Sequence, residues 1–325
     1  MAKTFDCIVA GSCVVDLLCK PVRLDEPIGE GVLHPVGPLE VTTGGVTSNA
    51  GITLARMGVA VGVFSYVGDD AWQEVIRRIY REEGVDDGPL ATHPTEPTST
   101  TVVTIAEHGE RSFLHCVGAP RMLDAAAFLD RAELWARTKA LLVGYYSLMP
   151  GLEPQLPEAF AAVREAGCMT ALDAAGTGGS MQPLDVILPH LDVYVPSRAE
   201  AEHQTGESDP QAMIAAFRDC CATGRGVGLD HTLLGVKLGG EQGVMLSPRP
   251  GGFVHVPSCR PPGDVVDTTG AGDSFYAGLL AGLLRGLCVE DAGKLGCAAA
   301  ACCVTAFGGS TGARSYDEVA RIAGI

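Results

Sequence analysis

Aromatic residues are scarce. They make up 6% of the 325 residues, with two tryptophans, while glycine occurs 42 times. This balance favours helices packed closely on a sheet over an aromatic-rich interface. Positive charge is also short: 23 Lys and Arg face 39 Asp and Glu, a formal net charge of −16. Phosphate backbones are held by an excess of basic residues, so neither nucleic acid nor an anionic membrane is the expected partner. A nucleotide stays open, because a few amides and Mg²⁺ can hold its phosphates. No stretch approaches the ~18 apolar residues of a membrane span. Asp6 and Asp16 interrupt the first apolar run, which reads as a strand and not as a secretion signal, so a cytoplasmic location is expected. The 12 cysteines form no CxxC and the histidines no HxH or HExxH. The thiols are read as reduced core residues, and zinc is not expected. There is also no GxxxxGK[ST], which excludes the P-loop route to ATP.

What is present is an α/β rhythm. Phe5 to Ala10 reads as a buried first strand. Asn49 to Met57 reads as a helix, Val59 to Val67 as a strand and Ala71 to Glu83 as an amphipathic helix. After residue 120 the alternation resumes. Strands are expected at Ala140 to Gly144, Met169 to Asp173, Val193 to Val195 and Leu234 to Leu238, with helices at Leu156 to Ala166 and Pro210 to Ala222. Val244 to Leu246 and Phe253 to Val256 suggest shorter outer strands, and Cys297 to Phe307 an Ala-rich helix. Such alternation predicts a doubly wound, mostly parallel sheet flanked by helices. The exception is a hairpin, Thr100 to Ala106 and Arg111 to Val117 around His108-Gly109-Glu110, which has no helix partner. With Val14 to Leu18 and Val36 to Thr43 it is expected to build a small β lid. The expected division is a large domain of 1–12, 45–96 and 119–325 and a discontinuous lid of 13–44 and 97–118. Val103, Ile105 and Phe113 alternate with polar residues in the hairpin, which predicts an apolar face and a homodimer through it.

The most informative block is Asp267 to Phe275, DTTGAGDSF. A strand-like approach, Asp264 to Val266, runs into Gly270-Ala271-Gly272-Asp273, and Phe275, Leu279, Leu280, Leu283, Leu284 and Leu287 then read as a helix. Small residues at a helix mouth leave amides pointing outward, where the helix dipole favours an anion. A carboxylate there repels the anion, so Asp273 makes sense as acceptor of a proton from a hydroxyl that attacks a phosphoryl group. The plainer alternative is a Gly-rich turn with Asp as helix cap.

The whole block resembles the C-terminal signature of the ribokinase-like (PfkB) carbohydrate kinases. That resemblance implies Asp273 as catalytic base, with the Gly270, Ala271 and Gly272 amides as the anion hole. Four further stretches match in order. In GSCVVD, Asp16 falls just past the first strand, where open α/β sheets bind ligands, and the family uses it to bind the sugar. In GGVTSNAGITLARMG, Gly44 and Gly45 let backbone approach a ligand, and Asn49 offers a donor and an acceptor to a hydroxyl or simply caps a helix. Val46 stands where ribokinases carry Lys, which leaves a nucleoside as an alternative acceptor.

In PSRAEAEHQTG, Glu200 keeps the place of the family's Glu near bound Mg²⁺, held through water, while Ser197 replaces an Asn. A solvated surface helix is the alternative there. In VKLGGEQG, Lys237, Gly239, Gly240 and Gly243 fall beside the family's nucleotide, although Lys237 equally suits a solvent charge. Gly109-Glu110-Arg111 matches a lid element, with Arg111 reaching ligand or partner. The Gly308 to Ala313 loop, with Asp267 and Thr269, resembles a monovalent-cation site, for which K⁺ is the implied occupant. The implied activity is ATP-dependent, Mg²⁺-assisted phosphorylation of a hydroxyl, expected to be a primary one, of a small sugar or sugar acid. A sugar-binding protein that kept only the fold is the remaining alternative.

Overall fold

The computed structural model describes residues 4–23, 31, 33–176, 179–223 and 232–325. Lys3, and residues 24–30 and 32 of the Pro- and Gly-rich stretch, lie outside the described residues. In chain order the first strands are β1 (Phe5–Gly11), β2 (Val14–Cys19), β3 (Glu40–Gly44), β4 (Val61–Phe64), β5 (Tyr66–Gly68), β6 (Ala91–His93) and β7 (Ser99–Ile105). They are followed by β8 (Arg111–Cys116), β9 (Thr138–Gly144), β10 (Met169–Asp173), β11 (Val193–Tyr194), β12 (Leu233–Gly239), β13 (Gly243–Arg249) and β14 (Gly252–Val256). The helices are α1 (Val46–Arg56), α2 (Ala71–Glu82), α3 (Ala125–Leu129), α4 (Ala132–Ala136), α5 (Leu156–Glu165) and α6 (Met181–Ile187). Then come α7 (Arg198–Thr205), α8 (Pro210–Thr223), α9 (Ala271–Leu284), α10 (Val289–Cys303) and α11 (Tyr316–Ala323).

The main sheet runs β14-β13-β12-β11-β10-β9-β1-β4. Its strands from β4 to β12 are parallel, and the β12–β13 and β13–β14 pairs are antiparallel. Central parallel strands bury both faces, which is why FDCIVAG is apolar almost throughout. Cys7 and Val9 enter one core with Leu279 and Leu280 of α9, whereas Ile8 and Ala10 enter the other with Phe128, Trp135 and Phe160. The period of two in the strand thus feeds a helix layer on each side. On the first side α9 and α10 nearly touch. A Cβ on Gly278 would lie 2.5 Å from the Leu295 carbonyl, so only glycine permits this spacing.

A separate four-stranded sheet has the order β3-β2-β7-β8, with β2 and β7 parallel and the outer pairs antiparallel. The expected hairpin is β7–β8. A two-stranded β5–β6 ladder completes the strands. All twelve cysteines are reduced thiols, and among the described residues no helix is long and apolar enough to cross a membrane.

Several sequence expectations change. Val59 to Val67 is not one strand, because Ser65 breaks it by donating its hydroxyl to the Gly11 carbonyl at 2.6 Å. The first helix begins at Val46, so Asn49 lies inside the helix and does not cap it. Asp264 to Val266 form no strand, and Val265 is 60% exposed. The Ala-rich helix runs from Val289 to Cys303, starting before and ending short of the expected span. Of the Val36 to Thr43 stretch only residues 40–43 pair, within the strand Glu40–Gly44.

Candidate active site

The carboxyl ends of β1, β9, β10 and β12 converge on the amino end of α9. This is the place where parallel sheets leave room for a ligand, because their chains turn away to opposite faces. Gly270 is the N-cap of α9, with φ 75°. A Cβ there would fall 2.4 Å from Gly309 backbone atoms, so this position requires glycine. Gly272 has no such constraint. A Cβ on it would meet only the Lys237 Nζ, at 3.3 Å, which puts that ammonium beside the helix mouth. The N–H groups of Gly272 and Asp273 lie in the first turn and have no carbonyl of their own helix to bind. Ala271 N–H donates instead to the Thr268 carbonyl at 3.3 Å.

Asp273 is buried, and its two oxygens are used unequally. Oδ2 accepts from Asn49 Nδ2 at 2.9 Å and from the Tyr145 hydroxyl at 2.7 Å, whereas Oδ1 has no partner. Burial pushes the carboxyl above its ordinary range, while Tyr145, Asn49 and Lys237 pull it back. Asn49 Oδ1 is also buried without a partner. Lys237 is turned inward, at 3.0 Å from Asp173 Oδ1 and 5.0 Å from the centre of the Tyr276 ring. Burial raises Asp173 to about 7 against the pull of Lys237. Burial works against the Lys237 charge, but Asp173, Glu200 and Asp273 outweigh it and keep its pKa above the ordinary value. The pair is therefore ionic above neutral pH, and Asp173 is the member that takes a proton as the pH falls.

Lys237, Gly239, Gly240 and Gly243 line one cavity of about 860 Å³ with Glu200, Tyr145 and Gly270 to Asp273. One end of it is charged. The other is walled by small apolar residues, among them Cys297, Ala300 and Val304. Glu200 sits in a capping box at the start of α7: its carboxylate accepts from Ser197 N–H at 2.7 Å, and the Ser197 hydroxyl accepts from Glu200 N–H at 3.3 Å. Ser197, in the place of the family's Asn, thus builds the helix start that aims Glu200 into the cavity. Among the described residues no three acidic, His or Cys side chains cluster as a metal site. A Mg²⁺ in this cavity would need few protein ligands, and Glu200 is the carboxylate that could reach it through water.

Asp16 lies on β2 with its carboxylate over Gly44, whose absent side chain would collide with it at 2.2 Å. The register sets Thr42, Asp16, Thr101 and His115 in one row across the small sheet. Burial raises Asp16 to about 6, with Thr101 hydrogen bonding opposing the rise. Gly45 is held at φ 79° against the Ser12 carbonyl. Val46 is fully buried and packs on Gly11 and Gly144, so it presents no surface to a ligand.

Arg111 reaches across from β8. Its Nη1 donates to Asp267 Oδ1 at 2.7 Å and to Thr269 Oγ1 at 2.8 Å. Asp267 also accepts from the Gly308 and Thr269 amides. Burial opposes its ionisation, but these donors hold it below the ordinary range. The carbonyls of Ser310, Thr311 and Ala313 meet Arg56 Nη1 at 3.1–3.2 Å. The oxygens expected to serve a monovalent cation are therefore facing two guanidinium groups. Sequence reasoning missed Tyr145 and Asp173 because no pattern around a strand end announces a side chain's distant partner.

Comparison with known proteins agrees with this geometry. The description "pfkB family carbohydrate kinase" matches residues 4–315. A fructokinase of Klebsiella pneumoniae is 32% identical over 285 residues, covering 85% of this chain and 83% of its own. Among solved structures, the ribokinase of Arabidopsis thaliana complexed with ribose and ATP superposes with a TM-score of 0.81 at 23% identity, over 100% of both chains. An E. coli protein in complex with ATP and Mg²⁺ gives 0.79, also at 23% identity, over 99% of each. The fold is the ribokinase fold, and the chain belongs to the pfkB family of carbohydrate kinases.

Proposed function

We propose that this protein transfers the terminal phosphoryl group of ATP to a primary hydroxyl of a small neutral sugar. The observation that carries the reading is the unpartnered Oδ1 of Asp273 at the mouth of α9, beside the Lys237 ammonium. In this reading Asp273 accepts the hydroxyl proton, and the amides from Gly270 to Asp273 steady the charge that develops on the phosphoryl oxygens. Asp16, Gly44, Gly45 and Asn49 orient the sugar. Lys237, Gly239, Gly240 and Gly243 border the nucleotide, whose base suits the apolar end of the cavity. Bound Mg²⁺, held by the phosphates and through water by Glu200, supplies charge neutralisation. The work of the chain itself is positioning and electrostatics, as phosphoryl transfer requires.

Several observations favour a neutral sugar. Among the described residues, the unpartnered buried side-chain oxygens are Asn49 Oδ1, Asp273 Oδ1 and Thr43 Oγ1. Two of these accept only, so they call for donors, which hydroxyls provide and a carboxylate does not. The site's cations, Lys237 and Arg111, already face buried carboxylates. With Val46 packed away from any ligand, the reason for favouring a nucleoside also falls. Arg111 and Arg56 bring positive charge to the oxygens that K⁺ would use. The lid in this reading is the described part of 13–44 with 97–118, closing over the large domain in the cytoplasm. Its exposed Phe113 and Leu114 on the edge strand β8 are covered by a second subunit.

An ATP-consumption screen over neutral sugars, sugar acids and nucleosides tests the reading. Turnover with fructose or ribose, well above that with acids and nucleosides, is expected. Preference for an acid or a nucleoside would overturn the neutral acceptor, and no consumption with any of them would overturn the kinase reading.

A further inference from the structure

Tyr145 follows the last residue of β9 and has φ 61° and ψ 37°. Among the described residues it alone, apart from glycines, has a positive φ. A bulky side chain there is a true outlier, which persists only where the surroundings enforce it. Asn, or the glycine that precedes it in Gly144-Tyr145, suits that backbone better, so strand geometry does not call for tyrosine. The backbone is pinned by Tyr145 N–H donating to the Asp173 carbonyl at 3.0 Å. The side chain lines the cavity, and its hydroxyl ends on Asp273 Oδ2 at 2.7 Å. Asn49 Nδ2 holds the same oxygen, so both donors converge on one side of the carboxylate and leave the other bare.

We infer that Tyr145 is a positioning residue for the phosphoryl-transfer reaction: its hydroxyl clamps Oδ2 of Asp273 and turns Oδ1 toward the hydroxyl that is to lose its proton. The inference rests on the reading of Asp273 as the base. The clamp has a second effect, because a hydrogen bond to the charged form favours ionisation. The other groups facing Asp273 are Asn49 on α1, Asp173 on β10, Lys237 on β12, Glu200 on α7 and the Cys303 thiol on α10. Burial disfavours the carboxylate, and Tyr145 is the largest influence opposing it. Losing the hydroxyl therefore raises the pH at which Asp273 becomes a competent base.

The test compares Tyr145→Phe, which keeps the ring and the backbone, with Tyr145→Asn, which suits the left-handed backbone but cannot extend as far. Turnover is followed from pH 5 to 9 with ATP and ribose or fructose as the acceptor, alongside thermal melting and ATP titration. For Tyr145→Phe, kcat at pH 7 is expected to fall about 10- to 100-fold, the loss of one hydrogen bond to a charged group. The acid limb moves to higher pH, activity recovers toward pH 9, and ATP affinity is unchanged. Tyr145→Asn is expected to be similarly slow while melting no lower than the wild type. A Tyr145→Phe profile superimposable on the wild type overturns the inference. So does a fall that is equal at every pH and tracks a loss of Tm in both variants. Asp273→Asn separates the two layers: if it stays active, the base assignment fails, and if it is dead while Tyr145→Phe is normal, only the clamp fails.

Discussion

Asp273 and Asp16 are carboxylates buried at the same cleft, yet the elements that hold them differ in kind. Asp273 opens α9, which is packed into the core of the main sheet and held by contacts from α1, β9 and β12. Asp16 sits on a four-stranded sheet whose edge strand β8 is exposed along most of its length. That sheet is tied to α9's approach by the Arg111–Asp267 pair. The proposed base is thus set in a closely packed frame, while the proposed sugar-orienting group rides on a more exposed layer. Local stability follows burial, so in the proposed reading the second layer is the lid. The same contrast suits a family that keeps one reaction and varies its acceptor.

Asp273→Asn should give the largest effect and strain the comparison most. The amide keeps shape but cannot take a proton, so kcat is expected to fall about 10²- to 10⁴-fold. ATP binding by calorimetry should hardly change. Near wild-type turnover would remove the rigid half's claim to the chemistry.

Asp16→Asn probes the adjustable half. Loss of a charge-assisted hydrogen bond, worth about 1.5–3 kcal/mol, should raise the acceptor KM about 10- to 100-fold and leave the ATP KM alone. Its pH behaviour sharpens the point. The folded carboxyl is raised from 3.8 to about 6, so the native state binds the proton more tightly than the unfolded chain does. Asp16 therefore supports the fold fully below about pH 4, and that support is lost as pH rises through about 6. The Asn variant should melt above the wild type at pH 8 and lose the advantage at pH 4. An equal difference at both values would show that burial does not strain this carboxylate.

Glycine substitutions at the anion site should differ from one another. Gly270→Val forces a side chain onto Gly309 backbone at positive φ. The backbone alone should cost about 1–3 kcal/mol, read as a lower Tm. Gly272→Ala meets only the end of Lys237, and should slow turnover with Tm almost unchanged. Equal melting points would show that the helix mouth is softer than its packing implies.

The smallest effect on chemistry belongs to the outer edge of the small sheet. Phe113 and Leu114 are 58% and 63% exposed. Light scattering at micromolar concentration should give twice 33.7 kDa, and Phe113→Asp should give a monomer that keeps most of its kcat. A wild-type monomer would leave β8 with no partner subunit.

Much of this was legible in the chain. The apolar strands, their alternation with helices and the unaccompanied hairpin follow from local periodicity, which needs no distant contact. The Gly-rich helix mouth with its Asp was readable for the same reason, since GAGD and the apolar helix after it are contiguous. The lone strand assigned to Val59–Val67 failed because a buried serine was bonded to Gly11, 54 residues away.

Tertiary structure decided what each polar group faces. Lys237 offered two equal readings until β12 placed it against Asp173, 64 positions earlier. Arg111 and Asp267 are 156 residues apart, and only the approach of β8 to the α9 entry brings a guanidinium to that carboxylate. Asn49 and Tyr145 meet one oxygen of Asp273 from 224 and 128 residues away. Composition and spacing determine which elements form, because those are short-range choices of backbone and burial. Which oxygen of a carboxylate stays free depends on three chain segments arriving together, and that is a property of the packed fold alone.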